Sequence, residues 1–226
     1  QEKGEGQSAN FQAGTQGSRQ QIRDIDYRRR TYFFVDASYR ENFSKRDPNG
    51  RHLASADSIQ SIRVFVASRT SRQDLATKRK GVAYFTPPIS VDGGLPSLPD
   101  TVTETSERAD FKELQSNEFL VDRNLGYIAL STPLQAQDIL GIAYTTRNRL
   151  SGRQVTYGDV PVVNDLANET KLRLLKSHNE RAPTALDDLT DPKKWGTWQY
   201  EWRNVYFLGK TEINPDGFDL KIFRKA

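Results

Sequence analysis

The stretch EFLVDRNLGYIALSTPLQAQDILGIAY, residues 118–144, decides the fold. Phe119 and Val121 alternate with Leu120 and Asp122. Arg123-Asn124-Leu125-Gly126 then breaks the run, with Asn and Gly available for a positive φ. Tyr127-Ile128-Ala129-Leu130 resumes it, Pro133 and the polar 135–138 segment break it again, and 139–144 follows. Runs of roughly 4–8 residues, rich in β-branched and aromatic side chains and bounded by turn formers, mark a β-meander. Two of these runs are apolar on both faces, as strands covered on both sides would be. The stretch predicts an all-β domain, an antiparallel β-sandwich of jelly-roll or Ig-like meander type. It carries no catalytic chemistry.

Outward from the meander, more strands can be read. Tyr32-Phe33-Phe34-Val35 centres a first strand over 31–40, and Asp47-Pro48-Asn49-Gly50 makes a turn. Over 58–69, Ile59, Ile62, Val64 and Val66 interleave with Ser61, Arg63, Phe65 and Ala67, as a strand with a packed second face would. Short strands are predicted at 81–85 and 154–158, with charged or polar connections at 69–80 and 89–106, and 109–114 leads into the meander. Lys171-Leu172-Arg173-Leu174-Leu175-Lys176-Ser177 reads as a strand, with an amphipathic helix as the rival. Asn214-Pro215-Asp216-Gly217 is a turn before a last alternating strand at 218–223. Residues 1–27, rich in Gln, Gly and Ser at the start, read as a flexible leader, leaving 28–226 as the β-domain.

Composition narrows the chemistry. The 226 residues are enough to bury a core, although only 35% are hydrophobic. There are 33 basic and 29 acidic residues, a net charge of +4. With no basic cluster set beside stacking aromatics, no nucleic-acid partner is expected. Cysteine is absent, which removes disulfides, thiolate metal sites and cysteine nucleophiles. Methionine is absent even at position 1, so the chain reads as a fragment or a processed product. No apolar run approaches ~20 residues, so no transmembrane helix is expected.

No nucleophile–base pair, P-loop or dinucleotide fingerprint occurs, and no enzyme activity is expected. His52 and His178 are the only histidines, and neither sits in a metal-binding spacing such as HExxH. Asp187, Asp188 and Asp191 offer oxygen ligands to a hard cation such as calcium, as do Asp47, Asn49 and Asp92. EF-hand spacing is lacking, and no cofactor is expected. The binding candidates are Trp195, Trp198, Tyr200 and Trp202, in the most aromatic segment of the chain. On a strand, Trp198, Tyr200 and Trp202 would share one face, with Gln199, Glu201 and Arg203 facing solvent. An exposed row of such rings would stack on sugars, which makes a carbohydrate-binding module the alternative reading.

Two segments also resemble the SprA/Sov family, the gliding-motility cell-surface proteins of Bacteroidetes-type bacteria. KLRLLKSHN at 171–179 is similar to that family's LLKS-type strand, through Leu174, Leu175, Lys176, Ser177 and Asn179. WQYEWRNVYFLGKTEINPDGFDLKIF at 198–223 resembles its second pattern, through Trp198, Asn204, Tyr206, Leu208, Gly209, Phe218, Leu220 and Ile222. In the central meander, Leu125-Gly126-Tyr127-Ile128, Pro133-Leu134 and 140–144 match as well. The residues 185–194 and the connection after Phe85 depart from the pattern. The resemblance implies a β-rich unit of a type IX secretion outer-membrane translocon, in the bacterial envelope on its periplasmic or cell-surface side. Implied partners are other domains of the same large polypeptide, PorV-like subunits and a plug protein. The implied role is that of a scaffold, gate or docking module in protein secretion and gliding motility.

Overall fold

A computed structural model describes residues 8–13, 16–68, 78–94, 106–159, 169–184, 190–208 and 219–223. The chain is β-rich, with thirteen strands and one α-helix among the described residues. It divides into two units, residues 30–202 and a smaller one from both chain ends, 1–29 with 203–226.

The larger unit is built on β4 (Asp57–Ala67), β5 (Lys78–Tyr84), β7 (Ser106–Glu113), β10 (Ile139–Asn148) and β12 (Thr170–Lys176). The pairing order β12-β5-β7-β4-β10 returns to β12, so the five strands close a ring. All contacts in the ring are antiparallel except β5–β12, which is parallel. This corrects the expected antiparallel sandwich, because alternation gives each strand its faces but not its neighbours. Beyond β10 the sheet runs on into β11 (Gln154–Tyr157) and β6 (Ile89–Val91).

A five-stranded ring has a narrow lumen, and its filling fits that width. Phe65 and Phe111 share it with Ala67, Ala83, Ala143, Leu172 and Leu174. Two glycines face it: a Cβ at Gly141 would sit 3.0 Å from Leu172 Cδ1, and one at Gly81 3.0 Å from Phe111 Cδ2. The opposite faces of the same strands carry Val64, Leu140, Ile142, Tyr144 and Leu175. They pack against a second sheet, β3 (Tyr32–Phe34), β9 (Tyr127–Leu130) and β8 (Phe119–Asp122), through Phe33, Ile128 and Leu130. A two-layer core therefore survives on one side of the barrel. The off-by-one spacing from Ile59 to Ile62 has a local cause. The register shifts between Thr145 and Thr146, leaving Gln60 without an opposing residue, so both isoleucines reach the same core.

Three other expectations are corrected. The 118–144 meander splits: β8 and β9 pair with each other, but β10 leaves for the barrel. The predicted strand at 31–40 is only the short β3. After it the chain turns into α1 (Ala37–Ser44), whose N-cap Asp36 accepts a hydrogen bond from Ser38 N. Residues expected in a flexible leader form β1 (Ser8–Ala13) and β2 (Gln16–Gln21), which with β13 (Asp219–Phe223) make the antiparallel sheet β13-β1-β2 of the smaller unit. There the incoming and outgoing chains also meet: Arg28 N donates to Val205 O at 2.7 Å and Tyr206 OH to Asp24 O at 2.9 Å. The predicted segments at 1–7, 69–77, 95–105 and 214–217 lie outside the described residues.

Candidate functional site

The four aromatic candidates do not form one row. Residues 192–199 wind as a 3-10 segment, kinked at Gly196 with φ +55°. Only Glu201 makes a β-bridge, to Phe33. Period-2 alternation of side chains requires extended backbone, and this segment lacks it. Tyr200 is buried, and so are Gln199 and Glu201, which had been expected to face solvent. Glu201 is held inside because its carboxylate accepts the backbone N–H of Arg30.

Each ring has its own surroundings. Trp202 packs into a cluster with Phe43 at 4.6 Å, Phe34 and Tyr127 at 5.2 Å and Tyr32 at 6.2 Å between ring centroids. The Arg40 guanidinium lies over Trp195 at 5.7 Å. Trp198 is half-buried. Tyr200 turns the other way, into the space between the two layers, where it meets Phe85 at 5.7 Å.

That interlayer space holds a buried charge, Arg173. It donates to Tyr200 OH at 3.1 Å and Tyr144 OH at 3.3 Å, and pairs with Asp36 Oδ2 at 2.8 Å. Burial opposes its charge, yet the net effect raises its pKa, since Tyr144, Asp36 and Tyr200 together favour the guanidinium. Burial pushes the Tyr144 phenol well above its ordinary range. Asp36 thus serves two elements at once, capping α1 and neutralising β12. Tyr39 fixes the same helix: its OH donates to Asp57 O at 2.9 Å, and its ring occupies the place where a Cβ on Gly126 would stand.

Lys176 ends the same strand. Its Nζ donates to the carbonyls of Ala136 and Asp138 at 2.8 Å and of Ser177 at 2.9 Å. Burial pulls its pKa down, as does Arg30, against Glu180, Asp138 and Glu201. Sequence reasoning missed Arg173 and Lys176 as sites. The signal was local: Arg173 and Lys176, at opposite parity, flank the apolar Leu174-Leu175 pair on this strand.

Of the carboxylates considered for a cation, Asp47 closes a turn and Asp92 reaches across to the strand beside it. Asp47 Oδ1 accepts from Asn49 N and Arg51 N, and Asp92 Oδ1 from Gln154 N. Asp187 and Asp188 lie outside the described residues. His52 stacks on Phe43 at 3.6 Å, and His178 Nδ1 meets both Glu107 oxygens at 2.7 and 2.8 Å. Among the described residues no group of three metal-ligating side chains forms, and no helix is long and apolar enough to cross a membrane. The chain matches no protein-family model and no curated protein.

Proposed function

We propose that this chain is a non-enzymatic β-unit of a SprA-like outer-membrane polypeptide, acting as a scaffold, gate or docking module in type IX secretion and gliding motility. One observation carries the reading. Four of the residues that match the family patterns, Gly126, Leu174, Leu175 and Lys176, hold demanding positions in this fold. Leu174 fills the barrel lumen and Leu175 the interlayer core, one on each face of β12. Lys176 ties the end of that strand to the crossover between the sheets. Gly126, at φ +70°, leaves room for Tyr39. Such a pattern is a signature of architecture, and a scaffold needs no more.

Two features favour docking by main-chain pairing. Strands β8 and β6 lie at the ends of their sheets, and Leu120 on β8 is largely exposed. Such edges accept a partner's strand. Neighbouring domains of the same polypeptide, a PorV-like subunit and a plug protein are the proposed partners, and the bacterial envelope the proposed location. A carbohydrate-binding role would need Trp198, Tyr200 and Trp202 on one open face, and Tyr200 is buried.

Quantitative proteomics of native envelope fractions tests the proposal. Peptides of this chain should co-migrate with a single very large outer-membrane polypeptide. Their recovery only from a small, freestanding soluble protein would overturn it.

A further inference from the structure

We propose that the carbonyl nest formed by Ala136, Asp138 and Ser177 is a monovalent-cation site, and that the tethered ammonium of Lys176 is its resident ion. Three carbonyl oxygens converge on Nζ at 2.8–2.9 Å, one for each N–H that a lysine ammonium carries. The lysine is 2% exposed, so these oxygens replace its entire hydration shell. Carbonyl rings of this kind are how proteins hold dehydrated monovalent ions. A second observation is independent of the lysine's own bonds. Asp138 Oδ1 is buried and has no hydrogen-bond partner among the described residues, while its Oδ2 accepts from Gln135 N. A lysine presents carbon in its fourth direction. A free ammonium ion presents a fourth N–H, and the unpartnered Asp138 Oδ1, on the residue that supplies one of the nest's carbonyls, is the acceptor we assign to it. Glu180, Glu201 and Asp138 add negative potential, with Arg30 opposing.

The nest has a structural purpose. Two of its carbonyls belong to the 133–138 crossover that carries the chain from β9 in one sheet to β10 in the other. The third follows β12. A cation here therefore fastens the crossover to the strand that closes the barrel. An apolar side chain of the same length would leave three buried acceptors unpaired.

Chemical rescue tests the site. Lys176→Ala should lower Tm by about 5 °C or more, from loss of three buried hydrogen bonds. Ammonium chloride should restore most of that loss, and tetramethylammonium chloride at equal concentration none of it. Leu174→Ala, which opens a cavity without carbonyls, should respond alike to both salts. Equal responses of Lys176→Ala to both salts, or a Lys176→Met variant as stable as the parent, would overturn the assignment. If Lys176→Ala does not fold, the unaltered full chain decides. With 15N-labelled lysine at pH 7, one ammonium resonance should persist against exchange with water. A neutral amine at Lys176, or exchange as fast as for surface lysines, would sink the proposal.

Discussion

Asp36 and Arg173 form a pair whose two members differ in access to water, and the difference decides what each substitution does. The Arg173 side chain is 10% exposed and that of Asp36 23%. Asp36→Asn leaves a buried guanidinium without its counter-charge, so we expect a loss of about 3–5 kcal/mol in urea unfolding. Arg173→Met leaves a carboxylate that can still reach solvent and cap α1, and should cost clearly less. Equal losses would show that the two side chains do not interact as the geometry implies. Gly126 is a stricter position. A Cβ there would sit 2.0 Å from Tyr39 Cγ, at a φ of +70°. Gly126→Ala should therefore destabilise by about 3 kcal/mol or more, with coupling to Tyr39→Ala in a double-mutant cycle. Neither residue announced this role in the sequence. Gly126 read as a turn former, which it is, but the ring pressed upon it comes from a distant segment.

At the scale of elements, legibility followed the reach of the forces involved. Strands β4, β11 and β12 and the β8–β9 hairpin were readable, since alternation and Asn-Leu-Gly turn chemistry are local. Helix α1 was not. Among its eight residues only Tyr39 is buried, and its start depends on Asp36, whose partner lies on β12. The Trp198–Trp202 alternation misled because Gly196 and the 3-10 winding override periodicity. The narrow barrel makes its glycines sensitive: Gly141→Ala should cost about 1–3 kcal/mol by overpacking against Leu172, and Leu172→Val should recover part of it. Unchanged chemical denaturation of Gly141→Ala would contradict the packed lumen. The β7–β8 turn offers a pH test. Gln115 N, and then Lys112, lower the Glu118 pKa from its ordinary 4.5. The folded value lies below the unfolded one, so this stabilisation is present above about pH 4.5 and fades as pH falls through the folded value. The protection factor of the Gln115 amide, its exchange relative to the intrinsic rate at each pH, should fall in that acidic window, and Glu118→Gln should abolish that fall.

For the whole molecule, both hydrophobic clusters lie within residues 30–202. A chain limited to those residues should unfold in one cooperative calorimetric transition, and absence of any transition would refute the division into units. The closed ring has a further consequence, in time. Its single parallel contact joins residues 81–84 to 170–173, whereas β5 meets its antiparallel neighbour β7 far sooner along the chain. Pairings so remote in sequence carry the greatest loop-closure entropy and form slowly. Synthesis also delivers β12 after every other stave of the barrel. Until it arrives, β5 and β10 stand open like the two sides of an unfastened collar, competent to seize a stranger's strand. For this polypeptide the hazardous interval is that wait, and whatever chaperones it has to shield those two margins.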